Sequence, residues 1–240
     1  MTQMIKKLAL AAVVTILAAS GSAAMAAPSA WDMPAGDQGS YTYSGGQTAN
    51  GNFGTGTAFS DGFFFIPTGL RAIAISNQSP NARGIDLGAH DEASDTVSVI
   101  LNAKPGNAFT RITSNILGDY TIDGVGNVNA TGALRVTNLD TAMTLSSPLA
   151  FGGTVPSTEQ DGIFSGDTAI DLPAGWHNIR VEMDGLVAAD ALFGSSLIQG
   201  KDAELGVNAT AEIPIPAAFA VAPVAAYLGW RAKRKLGAAR

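Results

Sequence analysis

Alternation of apolar and polar residues with a period of two is the feature that most constrains the fold of this chain. In residues 128–136, apolar or small residues occupy every second position, and mostly polar residues lie between them. Residues 179–184 alternate in the same way. Such segments are typical of strands with one buried face and one solvated face. The pattern therefore predicts antiparallel sheet rather than helix.

Turn-forming residues divide the alternating segments into short pieces. Of the 240 residues, 28 are glycine and 11 are proline, which is too much interruption for a mostly helical chain. Turn sequences at 67–69, 104–107, 123–124 and 173–175 each separate two apolar runs. Strands at this spacing predict one all-β domain over residues 27–212, an antiparallel β-sandwich of jelly-roll or immunoglobulin-like type.

Three stretches of this domain lack a clear strand pattern. Residues 77–94 and 152–166 are rich in polar residues and glycine, and we expect long loops there. Residues 188–198 carry small and apolar residues without strict alternation, and we expect a short helix.

The first 26 residues have the features of an export signal. Lys6 and Lys7 precede an apolar run at 8–19, and Ala24-Met25-Ala26 matches an A-x-A cleavage site. The apolar run is shorter than the roughly 20 residues that a membrane-spanning helix needs. The sequence therefore predicts a cleaved signal peptide over residues 1–26.

The last 28 residues, 213–240, contain three ordered parts. They are a proline motif, an apolar segment at 217–230 and a basic tail. The motif consists of Ile213, Pro214, Ile215, Pro216 and Ala217, and the basic tail contains Arg231, Lys233, Arg234 and Lys235. An apolar segment followed by cations is typical of a stop-transfer helix whose basic end stays in the cytoplasm. A buried core helix is the alternative, although such a helix would not need the cations.

These three parts, in this order, resemble the PEP-CTERM sorting signal of Gram-negative bacteria. The usual motif of that family is Val-Pro-Glu-Pro-Ala, and here Ile215 stands at the glutamate position, as in minor variants. Residues 41–46, 63–67 and 118–126 also resemble uncharacterised secreted PEP-CTERM proteins of planctomycete-type bacteria. The resemblance implies an exosortase-type transpeptidase as partner and transient inner-membrane insertion of the C-terminal helix. It also implies delivery to the cell surface or the extracellular matrix.

Charge and composition exclude several classes of function. All 20 Asp and Glu lie between residues 27 and 212, together with only seven Lys and Arg, which gives this region a net charge of −13. Such a field repels phosphate backbones and argues against nucleic-acid binding. The absence of cysteine excludes a disulfide framework, a thiol nucleophile and a thiolate zinc site.

Aromatic side chains are the first candidates for ligand contact, because sugar rings stack on flat aromatic faces. Trp31, Tyr41, Tyr43 and Trp176 could form such a glycan platform. The alternative is that Trp176 and residues 63–65 fill the core of the sandwich, as large aromatic side chains usually do.

Acidic side chains are candidates for a calcium site, the one cofactor considered. Asp86, Asp91, Glu92 and Asp95 lie in or directly after one expected loop, and Asp161 and Asp167 lie in or directly after the other. Neither set has the spacing of an EF-hand or of a calcium β-roll. Solvated loop charge is the alternative, and no cofactor is predicted.

Catalytic groups are sparse. His90 and His177 are the two histidines, and no serine lies in a G-x-S-x-G motif. A carboxylate pair such as Asp171 and Glu182 would suit a glycosidase only at roughly 5–9 Å in a cleft. We therefore predict a non-enzymatic protein with a structural or adhesive role at the cell surface or in the matrix. A carbohydrate-binding module is the alternative, and a secreted hydrolase is a third reading.

Overall fold

The domain is all-β and antiparallel, as the alternation predicts. A computed structural model describes residues 28–76, 88–151 and 155–212. Within these ranges every regular element is a strand, and each strand pair is antiparallel. Nothing helical there has the length and apolarity needed to span a bilayer. The expected signal peptide, proline motif, C-terminal helix and basic tail lie outside the described residues.

Twelve strands make up the described part. They are β1 (Ser29–Ala30), β2 (Gly36–Asp37), β3 (Tyr41–Thr48), β4 (Thr57–Phe59), β5 (Gly62–Phe65), β6 (Arg71–Ser76), β7 (Ala89–Ala103), β8 (Asn107–Asn138), β9 (Thr144–Pro148), β10 (Ala150–Phe151), β11 (Val155–Asp171) and β12 (Asn178–Ala211).

Two long strands, β8 and β12, form the centre of one continuous sheet. They pair with each other from Ile179↔Asn138 to Ala211↔Asn107. The other edge of β12 carries β7, then β6, then β5, and β3 pairs with the far side of β7. The other edge of β8 carries β11 and β9.

The sheet folds over on itself where the β12 segment 191–194 lies beside the β8 segment 124–126. A straight strand of 32 residues, the length of β8, would extend roughly 105 Å, far beyond a compact domain of this size. The ladder register shifts between Ala191 and Phe193. Gly124 and Gly194 face each other there with φ of 106° and 79°, values that side chains disfavour.

Beyond the fold-over, the sheet forms the two layers of a sandwich. The first layer contains residues 178–191 of β12, residues 126–138 of β8, and β3, β7 and β9. The second contains the remainder of β8 and β12 with β5, β6 and most of β11.

The core lies between the two layers. A Cβ placed on Gly185 of the first layer would lie 3.5 Å from the Leu70 side chain, and one on Gly200 of the second layer would lie 3.1 Å from it. The inward positions of the strands are apolar and fully buried, including Val97, Val99 and Leu101 on β7 and Ile179, Val181 and Met183 on β12. Burial of this apolar face is the main force that holds the layers together.

Several local predictions are wrong. Residues 188–198 are strand, not helix, because Ala189 and Ala191 continue the buried face of β12 with small side chains. Most of 152–166 belongs to β11, and residues 89–94 belong to β7, so neither stretch is a long loop throughout. The Asp123-Gly124 pair is not a hairpin turn but lies within β8, where Gly124 takes part in the fold-over.

Candidate glycan-binding groove

The four aromatic residues considered as candidates for glycan contact are buried. Trp31, Tyr41, Tyr43 and Trp176 are between 1% and 5% exposed, so the prediction of an exposed platform at these positions is wrong. The physical reason is ring packing inside the sandwich. The Trp31 and Tyr43 rings lie with centroids 5.2 and 5.0 Å from that of Phe63.

The alternative interpretation, that aromatic residues fill the core, is confirmed for most of them. Trp176, Phe63 and Phe65 are buried, whereas Phe64 points to solvent at 36% exposure, as strand alternation requires. The Tyr41 ring packs edge-on against Phe109 at 5.9 Å. Burial raises the pKa of the Tyr41 hydroxyl well above its usual range, and the nearby Asp61 carboxylate adds to the effect.

Asp95, one of the expected loop acids, is a buried residue of β7 at 3% exposure. Its Oδ1 accepts hydrogen bonds from the backbone N–H of Asn50 at 2.7 Å and of Thr96 at 2.8 Å. Its Oδ2 accepts from the backbone N–H of Phe53 at 2.9 Å. Both oxygens are therefore engaged in fixing the segment after β3 against β7, and solvated loop charge does not describe this residue.

The remaining candidate acids are dispersed. Asp91 accepts a hydrogen bond from the backbone N–H of Ile73 at 2.7 Å, and Asp161 and Asp167 lie on β11. Asp86 is outside the described residues. Among the residues that the structure describes, no group of three or more histidine, aspartate or glutamate side chains is arranged to hold a metal ion.

The histidines and carboxylates considered for catalysis are engaged in separate contacts. His90 Nδ1 lies 2.6 Å from Asp190 Oδ1, and this hydrogen bond raises the pKa of His90. His177 Nδ1 donates to the carbonyl oxygen of Asn107 at 2.9 Å. Asp171 pairs with Arg111 at 3.1 Å, and Glu182 lies 3.9 Å from Arg135. Asp171 and Arg111 lie in the second layer, whereas Glu182 and Arg135 lie in the first. The structure therefore does not bring the predicted carboxylate pair into one site.

A concave surface crosses the outward face of the first layer. Two adjoining cavities of about 540 and 560 Å³ share Ala49 and Thr96 in their walls, and we call them together the polar groove. Its principal polar side chains are Gln47 of β3, Thr96 and Ser98 of β7, Arg180, Glu182 and Asp184 of β12, and Arg135 of β8.

Strand register places these side chains in rows across the sheet. Glu182 pairs with Ser98 on one side and with Arg135 on the other, and Ser98 pairs with Gln47. Since successive side chains of a strand alternate between faces, Arg180, Glu182 and Asp184 all point away from the core. The apolar residues between them are what anchor β12, and the polar residues are left to line the groove.

Charge pairing organises one part of the groove. Arg135 Nη2 lies 2.6 Å from Asp184 Oδ2, and the Thr96 hydroxyl donates to Asp184 Oδ1 at 2.8 Å. These contacts connect β7, β12 and β8 and hold the three side chains in fixed positions. Arg180, one row beyond Glu182 on β12, has no carboxylate within 4.0 Å among the described residues.

The groove is suited to hydrogen bonding along an extended chain. It follows β7 from Ser94 to Ile100, a length of roughly 20 Å at about 3.3 Å per residue. The alternation in the sequence identifies the outward residues of β12, but it does not show that β3, β7 and β8 flank them. Sequence reasoning therefore missed the groove and pointed to aromatic residues instead.

Comparison with known proteins gives architectural similarity only. Neither a protein-family model nor any curated protein matches this chain. Among solved structures, the module TmCBM61 in complex with β-1,4-galactotriose is 13% identical, with 66% of this chain and 92% of that chain covered and a TM-score of 0.25. The xylan-binding CBM22-2 domain of Paenibacillus barcinonensis Xyn10C is 14% identical, with coverage of 68% and 94% and a TM-score of 0.23.

Enzymes also occur among the similar structures. The enzymatically active domain of tailspike protein 4 from bacteriophage CBA120 is 9% identical, with 72% of this chain and 20% of that chain covered and a TM-score of 0.22. Similarities at this level concern strand arrangement and carry no argument about ligand or reaction.

Proposed function

We propose that the β-sandwich is a non-catalytic polysaccharide-binding domain and that the polar groove is its binding surface. The observation that carries the proposal is a concave surface with donors and acceptors on four adjacent strands. Sugar hydroxyls act as donors and acceptors at once, so a surface that offers both suits them. Gln47, Ser98 and Glu182 supply the two kinds of group in one cross-strand row.

Rigidity of the groove supports this proposal. The Arg135, Asp184 and Thr96 side chains are already fixed by mutual contacts before any ligand arrives. A preorganised surface loses less side-chain entropy on binding than a mobile one. A flexible sugar chain would therefore meet a surface that needs little rearrangement.

Export and sorting complete the proposal. The chain would be exported through residues 1–26, inserted transiently in the inner membrane through its C-terminal apolar segment, and processed by an exosortase-type transpeptidase. The support is the three-part sequence pattern of residues 213–240. The domain would then act at the cell surface or in the extracellular matrix, where polysaccharide is abundant.

The groove can be tested by filling it. We would titrate the full chain in mild detergent with a panel of purified neutral and acidic polysaccharides and compare wild type with Ser98→Trp. Ser98 lines the groove, so the indole should abolish binding. Thr121→Trp is the matched control, because Thr121 is an exposed residue of β8 in the second layer. Equal binding by wild type and Ser98→Trp would contradict the groove as the site.

A structural or adhesive role is the second candidate, and exposed apolar side chains favour it. Ile75, Leu192 and Ile163 are 62%, 60% and 78% exposed. Such residues contribute to contacts between copies when they come together on one surface. Failure to bind any polysaccharide, together with concentration-dependent association in sedimentation velocity, would favour this role over glycan binding.

A further inference from the structure

The cations of the domain are few, and most of them are neutralised. Six lysine and arginine side chains lie in the described ranges. Four of them pair with carboxylates, namely Lys104, Arg111, Arg135 and Lys201. Only Arg71 and Arg180 have no carboxylate within 4.0 Å in that part of the chain. Carboxylates outnumber cations almost threefold in residues 27–212, so an arginine without such a partner is unusual here.

Arg180 is the one of these two that lines the polar groove. Its direct neighbours across the sheet are Ile100 on β7 and Thr137 on β8. Neither neighbour can neutralise a guanidinium group. The Thr137 hydroxyl is moreover within 2.9 Å of the Thr144 hydroxyl, its partner on β9. The guanidinium group therefore faces the groove, and within the described ranges no side chain occupies its planar set of donors, which suit an anionic ligand.

The surroundings of Arg180 match a particular kind of sugar. A hexuronic acid carries a carboxylate, several hydroxyls and an apolar patch of C–H groups. Arg180 offers bidentate hydrogen bonds to the carboxylate, Ile100 offers an apolar surface, and Ser98 and Gln47 offer partners for hydroxyls. These four residues lie within two adjacent rows of the sheet.

We propose that the polar groove selects acidic polysaccharides and that Arg180 is the contact for the carboxylate of a uronic acid unit. This inference rests on the proposed function and names the class of polysaccharide. The net charge of −13 in residues 27–212 repels polyanions in general. Selectivity for an acidic chain therefore requires a local cation. Among the described residues, Arg180 is the cation that lines the groove without a carboxylate partner.

The test compares polysaccharides that differ only in their carboxylates. Polygalacturonate is paired with its full methyl ester, and alginate with carboxyl-reduced alginate. The full chain is titrated in detergent at 0.15 M NaCl. This salt concentration screens interactions between charges that are farther apart than about 8 Å, so that the effect of a local contact dominates. We expect at least one acidic member to bind about tenfold or more tightly than its neutral partner. Arg180→Gln should remove this preference, whereas Arg71→Gln, the matched control on β6, should retain it.

The outcomes separate this inference from the function on which it rests. Binding of neutral polysaccharides without any preference for the acidic member would overturn the role of Arg180 and leave the glycan-binding proposal standing. A preference that survives Arg180→Gln would also overturn it. If the wild type binds no member of either pair and no neutral polysaccharide, both the role of Arg180 and the glycan-binding proposal are overturned. Unchanged thermal midpoints for both variants verify that each remains folded.

Discussion

The carboxylate of Asp95 accepts a hydrogen bond from the backbone N–H of Phe53, a residue 42 positions earlier in the chain. Among the residues whose burial the structure describes, Asp95 is the buried acidic residue, and it also accepts hydrogen bonds from the N–H of Asn50 and of Thr96. In the sequence, Asp95 resembles a charged loop residue. In the structure, its carboxylate holds the segment after β3, which forms one wall of the groove.

Replacement of Asp95 by asparagine should destabilise the domain. The amide group would place N–H donors against a backbone N–H, and a buried donor left without an acceptor costs roughly 1–3 kcal/mol. Urea unfolding followed by tryptophan fluorescence should show a lower midpoint with an unchanged slope. Asp123→Asn is the matched control, because Asp123 is exposed on β8. Equal midpoints for Asp95→Asn and wild type would show that the three hydrogen bonds contribute little.

The fold-over should be sensitive to any side chain at Gly194. A Cβ at this position would collide with the carbonyl oxygen of Asp123, and φ is already 79°. Gly39→Ala separates the two effects, because Gly39 also has a positive φ, 71°, but a Cβ there meets nothing within 4 Å. We expect Gly39→Ala to cost about 1–2 kcal/mol and Gly194→Ala to cost clearly more in the same unfolding assay. Similar losses for both would mean that β12 and β8 can move apart at the fold-over.

His90 should titrate at a higher pH than an isolated histidine. Its hydrogen bond to Asp190 raises the pKa above the usual value of 6.5, and Glu92 contributes in the same direction. Because the folded-state pKa exceeds the unfolded one, the contact favours folding fully below about pH 6.5. The contribution disappears as the pH rises through the folded-state pKa.

The measurement is an NMR titration of the His90 ring protons. Asp190→Asn should move the midpoint of His90 back towards 6.5, because it removes the hydrogen bond that raises the pKa. A His90 midpoint that is the same in wild type and Asp190→Asn would rule out Asp190 as the cause.

Deletion of residues 213–240 should release the protein into the medium. The sorting proposal assigns retention to the proline motif, the apolar segment and the basic tail of this region. Cell-surface, matrix and medium fractions of the native host would be compared by immunoblot, and intact mass would locate the mature ends. Surface retention of the deletion variant, or a mature mass that extends to Arg240, would contradict sorting by a transpeptidase.

Sequence reasoning succeeded where the period of two was strict. The alternating segments 128–136 and 179–184 are strands, and they are direct neighbours, with Met183 opposite Leu134. Their outward residues line the groove. Alternation identifies the faces of one strand, but it contains no information on which other strand lies alongside. The groove depends on the register of four strands that are distant in sequence and was therefore not predicted.

Failures of prediction have an equally local cause. Asp95 lies two residues before Val97 on the same buried face of β7, so extending the alternation backwards would have placed it inside. Because acidic residues are mostly exposed, the sequence alone did not indicate that Asp95 is buried. In residues 188–198 the buried positions carry alanine, whose small apolar side chain is common to helices and to closely packed sheets. Only the pairing of residues 188–198 with β7, β8 and β6 shows that this segment is a strand and not a helix.

The fold-over also governs how this domain would respond to force. In most sandwiches the layers are joined by loops, which can give way while each layer stays intact. Here β8 and β12 run through both layers, and they remain paired across the place where the sheet turns over. Tension applied to one layer is therefore carried into the other by two covalent chains and the ladder between them. Separation of the two layers would therefore require the β8–β12 ladder to break and not only a loop to extend.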